Sequence, residues 1–297
     1  MMSIRTRFGK KILISIYKPV HRVFTTLGIR PRFLGRVNNA LIRHLKSDVV
    51  VIDKHQLFLD ADDSMRLSTR GYYEPFITKI VKKTVKEGEV VLDIGAHIGY
   101  YTLLFARLVG KKGKVYAFEP DPKNFALLKR NVEANGYNNV VLEQKAVSDK
   151  GGKVMLHLGE RSAHHSILKN KYSGDRSVEV ESVRLDDYIK SRVDFIKIDV
   201  EGAEYFAFKG MQSVLRKNKG LMMITEMVPL FLKNLHIRPE SFVGLLRQHG
   251  LHLYLINEEK KQLLPFEPEK ALKSYNPDRK VNLNLFCSKS DYQKGDL

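Results

Sequence analysis

An α/β fold is what this sequence predicts: a mostly parallel seven-stranded sheet covered by helices on both faces, with an inserted β-hairpin and an N-terminal helical extension. Two observations carry it. Apolar runs of strand length alternate with stretches of helical period from Glu89 onward, the order expected of a parallel sheet. The alternation is broken once, between Ser148 and Asp187, where two stretches alternate polar and apolar residues around a polar, Gly-containing loop. A chain of 297 residues with 43% hydrophobic content can bury such a core and fits one large domain plus an extension.

In chain order, residues 49–52 and 56–59 flank Asp53-Lys54 as a short hairpin, and residues 74–86 read as a helix ahead of Gly88. Core strands are expected at 89–94, 114–118 and 140–144, separated by helices at 101–109 and 122–135, the latter closed by Gly136. The inserted hairpin is expected at 153–158 and 177–183. Parallel order resumes with a strand at 193–198, a helix at about 203–216, a strand at 221–226 and a helix at about 239–249. Residues 251–256 and 281–287 supply a final antiparallel pair joined by a long loop.

Charge divides the chain near Asp48, where acidic residues first occur. Residues 1–46 hold 11 Lys or Arg and no acid, so they carry most of the formal +18. Ile4, Phe8, Ile12 and Ile16 recur every four residues among Arg5, Arg7, Lys10, Lys11 and Lys18, a helical apolar stripe in a cationic surround that ends at Pro19. Residues 1–48 are expected to be a basic helical arm and residues 49–297 the main domain. Three partners suit the arm: an anionic membrane surface, the phosphates of a nucleic acid, or the main domain itself. The longest apolar run near the N-terminus, residues 12–17, falls far short of the roughly 20 residues a spanning helix needs, so no transmembrane helix is expected. The single cysteine, Cys287, excludes an internal disulfide framework and a multi-cysteine zinc site, which points to a reducing compartment. The expected location is the cytoplasm, with the arm able to hold the chain at the inner face of the membrane.

Chemistry concentrates where the first core strand ends. Val90-Val91-Leu92-Asp93-Ile94 runs straight into a turn bounded by Gly95 and Gly99, and a helix follows. Gly95 can adopt a positive φ and lets the backbone approach a ligand without a Cβ in the way. The carboxyl end of a core strand is the expected ligand crevice of an open α/β sheet. Glu119 closes the next strand, 20 residues past Gly99, where an acid can accept both hydroxyls of a ribose. A dinucleotide would want Gly-x-Gly-x-x-Gly and a helix N-terminus for its pyrophosphate, but His97 occupies the second glycine position. S-adenosylmethionine (SAM) has no phosphate and fits better: it needs an acceptor for its ammonium, near Asp93 and the Gly95 carbonyl, and amides for its carboxylate.

With these residues in place the chain resembles FkbM-type methyltransferases. The resemblance rests on Tyr73-Glu74-Pro75, Asp93 to Thr102, Phe118-Glu119-Pro120, Ala146-Val147-Ser148-Asp149, Leu185-Asp186-Asp187, Ile196 to Glu204, and Glu226, and it covers about residues 70 to 230. The family usually carries Asn where this chain has His97. The resemblance implies the Rossmann-like class I methyltransferase fold, SAM as cofactor, and hydroxyls of sugars, glycans, polyketides or other natural products as acceptors. The cofactor residues it marks are Glu74, Asp93, Gly95, Ala96, His97, Gly99, Glu119, Pro120, Ala146 and Asp199.

Methyl transfer from a sulfonium to a hydroxyl needs in-line approach and a base or a metal to expose the oxygen lone pair. Asp199 and Glu201 follow the strand at 193–198 and should project at the crevice; Glu226 ends the next strand, and Glu204 suits a helix cap. Asp199 is the first candidate for base or orienting acid, with Glu201 and Glu226 beside it. Clustered carboxylates also suit a divalent cation with oxygen ligands. His164 and His165 sit in the loop of the inserted hairpin, and His165 is a further candidate base. No Asn/Asp-Pro-Pro-Tyr/Phe sequence follows the fourth core strand, which argues against an exocyclic base amine as acceptor. Cys287, on a terminal strand, is poorly placed for covalent attack on a pyrimidine. An RNA acceptor gripped by the basic arm is the alternative to a small-molecule or glycan hydroxyl.

Overall fold

The computed structural model describes residues 47–169, 173–273 and 281–291. Of the basic arm expected at residues 1–48, residues 1–46, which carry its charge and its apolar stripe, lie outside the described residues. The chain opens on a hairpin, β1 (Val49–Ile52) and β2 (His55–Phe58), followed by α1 (Leu67–Arg70) and α2 (Pro75–Thr84). The core then runs β3 (Val90–Ile94), α3 (Tyr100–Val109), β4 (Lys114–Phe118), α4 (Pro122–Ala134) and β5 (Val140–Glu143). An inserted unit follows, made of β6 (Lys145–Val147), β7 (Gly152–Gly159), a 3-10 turn at Ser162–His164 and β8 (Ser173–Val183), and α5 (Leu185–Tyr188) leads back to the core. The second half is β9 (Phe195–Ile198), α6 (Glu204–Lys209), α7 (Gln212–Lys217), β10 (Met222–Met227), α8 (Pro229–Asn234), α9 (Pro239–Arg247), β11 (His252–Asn257), β12 (Gln262–Pro265), α10 (Pro268–Lys273) and β13 (Leu283–Ser288).

The main sheet has eight strands in the order β12-β11-β13-β10-β9-β3-β4-β5. The run from β10 to β5 is parallel, whereas β13 pairs antiparallel with both β10 and β11. β3 and β9 read as near-continuous apolar runs because helices cover both faces. Alternate residues feed two cores. Val91 and Phe195 join Phe76, Ile80, Phe105 and Phe286 on one face, and Leu92 and Ile196 join Phe118, Phe208 and Phe242 on the other. After β3 the chain adds β4 and β5 on one side, then returns to lay β9 on the opposite side of β3. That reversal of strand order leaves a crevice beyond the carboxyl ends of β3 and β9.

Three departures from the expected elements have physical causes. The sheet has an eighth strand, not seven, because β12 pairs with β11 at the open edge, where a short strand ending in Pro265 is tolerated. The inserted hairpin is present, but β6 pairs parallel to β8, so the insertion is a three-stranded sheet of its own. The single helix expected at 203–216 is two. Gly210 packs so closely on the Ser148 carbonyl that a Cβ would lie 2.0 Å from its oxygen, and the Asp186 carboxylate accepts the amides of Ser213 and Val214 as a cap for α7. Helix α8 was not expected, although Pro229 at its first turn was a legible start signal. Among the described residues no helix is long and apolar enough to cross a membrane.

Candidate active site

The turn after β3 is built around Gly95 at φ +81°. The amides of Gly95 and Ala96 both donate to the Phe118 carbonyl at 2.9 Å, which ties the turn to the end of β4. A Cβ on Gly95 would sit 1.9 Å from the Asp199 carbonyl oxygen, so only glycine lets β3 and β9 close here. His97 takes the left-handed region at φ 51°, as does Glu201 at φ 51° in the turn after β9. Two such non-glycine residues facing one crevice mark strain of the kind that collects at functional sites.

The crevice, about 920 Å³ and open to solvent, is lined by Asp93, Gly95, Ala96, His97, Glu119, Pro120, Ala146, His165, Asp199 and Glu201 among the residues singled out by sequence. Glu74, Gly99 and Glu226 stand outside its lining. Gly99 starts α3 at φ +93°, where a Cβ would meet the Leu128 side chain at 2.7 Å, so it serves the packing of α3 on α4. Glu119 is buried, and its two oxygens accept one amide each, from His97 and Asp121, at 2.9 Å. Burial pushes its pKa up to about 7, against those two hydrogen bonds.

Lys197, which sequence reasoning passed over as a site residue, organises the floor. It lies opposite Asp93 in the β3–β9 register, and its Nζ meets Asp199 Oδ2 at 3.0 Å and the face of Tyr101 at 4.6 Å from the ring centre. Tyr101 donates its hydroxyl hydrogen bond to Glu74 Oε2 at 2.8 Å, and Thr102 donates to Asp93 Oδ2 at 2.5 Å. Burial alone would lower the Lys197 pKa, but Asp199, Glu74 and Asp93 outweigh it and raise it above the ordinary value. Burial lifts Asp93 to about 6 and Glu74 to about 7, with Lys197 opposing both shifts. Glu74 holds the N-cap position of α2 but its side chain does not cap the helix: Glu258, from the β11–β12 turn, accepts the amides of Phe76 and Ile77 at 3.1 and 3.0 Å. A lysine inside the apolar run Phe195-Ile196-Lys197-Ile198 was the signal available, since a buried lysine needs partners.

Tyr73 also lines the crevice, stacked edge-on against Tyr100 and Tyr101 with ring centres 5.7 and 6.4 Å away. Burial and then the charges of Glu74, Asp199, Glu226 and Glu201 hold its phenol well above its ordinary pKa. Glu226 is buried at the end of β10 and reaches the site through this charge cluster rather than through the crevice wall. Glu204 accepts the amides of Val200 and Gly202 at 3.2 Å and so caps the turn after β9. The proposed base role of His165 meets a geometric objection. Its Nδ1 accepts the Gly159 amide at 3.0 Å, which leaves Nε2 as the protonated nitrogen of a neutral ring. His164 stays in the 3-10 turn and does not line the crevice. Among the described residues no group of three or more His, Cys, Asp and Glu side chains is arranged to hold a metal ion.

Residues 93–243 match the family model described as the methyltransferase FkbM domain. The hexuronic acid methyltransferase AglP of Haloferax volcanii is 25% identical over 147 residues, which is 48% of this chain and 58% of that protein. The 31-O-demethyl-FK506 methyltransferase FkbM of Streptomyces tacrolimicus is 29% identical over 161 residues, 43% of this chain and 61% of that protein. The chain thus spans less than two thirds of the length of either relative. A SAM-dependent methyltransferase from Aquifex aeolicus superposes with a TM-score of 0.41 at 18% identity, over 77% of this chain and 95% of that one.

Proposed function

Because the chain belongs to the FkbM family of SAM-dependent methyltransferases, we propose that it O-methylates a hydroxyl of a sugar, glycan or other small-molecule acceptor, with hexuronic acids the first class to try. The observation that carries this reading is that Asp93, Glu119 and Asp199 line one crevice beyond the ends of β3, β4 and β9. The donor set suits SAM. Each Glu119 oxygen is fixed by one amide and keeps lone-pair capacity for the ribose hydroxyls. Among the described residues at the crevice, carboxylates outnumber the buried ammonium of Lys197, which favours a ligand that brings a sulfonium and an ammonium of its own. Nδ1 of His97, buried at the same wall and without a partner among the described residues, is a further acceptor. Bound SAM would supply the electrophilic methyl group. Asp199, held by Lys197, would orient the acceptor hydroxyl and take its proton as the oxygen attacks.

The test is to incubate the full chain with methyl-labelled SAM and either glucuronic acid or cell extract split into nucleic acid, glycan, lipid and small-molecule fractions. Label in the glycan or small-molecule fraction is expected. Label confined to RNA would overturn the acceptor class. By calorimetry SAM should bind and NAD should not, and Glu119→Ala should weaken SAM by roughly 1–3 kcal/mol, the loss of hydrogen bonds to a charged acceptor. Wild-type affinity in Glu119→Ala would remove the ribose role.

A further inference from the structure

Nδ1 of His97 is buried and has no hydrogen-bond partner among the described residues, in a side chain that lines the crevice. Buried polar atoms are paired in the great majority of cases, so this one calls for a partner. The other ring nitrogen begins a chain of hydrogen bonds: His97 Nε2 to Ser162 Oγ at 2.9 Å, Ser162 Oγ to Ser64 Oγ at 3.1 Å, and Ser64 Oγ to Asp60 Oδ2 at 2.8 Å. Asp60 also accepts the amides of Asp62 at 2.9 Å and Ser64 at 3.2 Å, a set of donors that suits an ionised carboxylate.

The polarity of the chain follows from that end. An ionised carboxylate only accepts, so Ser64 donates to Asp60. Ser64 has then spent its one proton, so Ser162 donates to Ser64, and Ser162 must accept from His97. Nε2 therefore carries the proton of the neutral imidazole, and Nδ1 keeps a bare lone pair. Burial, opposed by the charges of Asp60, Asp199 and Asp121, drives the ring's pKa down to about 4, which keeps it neutral. Three segments far apart in sequence meet in this chain: the loop before α1, the 3-10 turn of the inserted unit and the turn after β3.

We propose that Asp60, Ser64 and Ser162 are positioning residues that fix the Nε2–H tautomer of His97, so that Nδ1 accepts a hydrogen bond from the nucleoside half of the bound cofactor. The proposal rests on the SAM reading of the crevice. The nucleoside half is chosen because the His97 amide is bonded to Glu119 Oε2 at 2.9 Å, and Glu119 is the ribose acceptor in that reading. Adenosine offers O–H donors on its ribose and N–H donors on its exocyclic amine, and either would complete Nδ1.

The experiment is nitrogen-15 NMR of the full chain labelled in its histidine rings, with His97 assigned by loss of its signals in His97→Asn. In the free protein Nε2 should be protonated and Nδ1 bare. Saturating S-adenosylhomocysteine or adenosine should shift the Nδ1 resonance, and methionine should not. Ser162→Ala should mix the two tautomers and weaken S-adenosylhomocysteine about tenfold, the value of one hydrogen bond; Ser64→Ala should mix the tautomers in the same way. A protonated Nδ1 in the free protein, or an Nδ1 signal unmoved when calorimetry shows S-adenosylhomocysteine bound, would overturn the proposal. So would a response to methionine and none to adenosine. If calorimetry finds no binding of S-adenosylhomocysteine at all, the SAM reading fails and takes the assigned ligand with it, and the tautomer of the free protein separates that failure from a misread hydrogen-bond chain.

Discussion

Asp199→Asn is expected to lower turnover about 100- to 10,000-fold, the usual worth of a general base, and far more than it weakens SAM. The split follows from where the carboxylate stands. It follows β9 and lines the crevice, whereas Glu119 and the turn at Gly95, which carry the cofactor in the proposed reading, belong to β4 and β3. A group that acts in the transition state lowers kcat without a matching loss of ground-state binding. Asn keeps the size and one oxygen, so the Lys197 ammonium can still donate to it and the turn at Gly95 keeps its packing. Single-turnover rates with labelled SAM and the acceptor found by fractionation, set beside calorimetry with SAM, read the two quantities separately. Near-normal turnover would move the role to Glu201, the neighbouring acid on the crevice wall. An equal loss in turnover and SAM affinity would make Asp199 a cofactor ligand only.

The alternation of β3, α3, β4 and α4 was legible because each strand is a short apolar run and each helix has a Pro or Gly at an end. The turn from Asp93 to Gly99 and the acid at Glu119 were legible for the same reason: their spacing is local. What sequence could not give depends on contacts between distant segments. The break between α6 and α7 comes from Ser148 pressing on Gly210 and Asp186 reaching across to cap, neither visible in a run that reads as one helix. The capping of α2 by Glu258, 182 residues from Phe76, freed Glu74 for Tyr101. The objection to His165 arises from its hydrogen bond with Gly159, and the role of Ser162 from its contact with His97. β12 was hidden because an edge strand ending in Pro265 carries little β signal.

Lys197→Met is expected to destabilise the fold by about 3–5 kcal/mol at about pH 8, the cost of stripping a buried charge from its partners, and by much less at about pH 5. The sign follows from the carboxylates it faces. Glu74 and Asp93 have pKa values raised in the fold to about 7 and about 6, from ordinary values of 4.5 and 3.8. A carboxyl group raised in the native state costs stability as pH climbs from its ordinary value through its raised one, because the unfolded chain ionises first. Lys197 limits that cost by pairing with the anions. Removing the ammonium raises both groups further, so the penalty grows through the range in which they would ionise. At about pH 5 Glu74 and Asp93 are largely protonated in the fold and have little to lose, which leaves the 3.0 Å pair with Asp199 as the main electrostatic loss. Urea denaturation at the two pH values, with Met chosen to keep the bulk of the side chain over Tyr101, measures the difference. Adding Glu74→Gln to Lys197→Met should recover part of the loss at about pH 8, since one of the uncompensated anions is gone. An equal loss at both pH values, or no recovery in the double variant, would show that Glu74 and Asp93 are balanced by other groups and that Lys197 acts through Asp199 and packing alone.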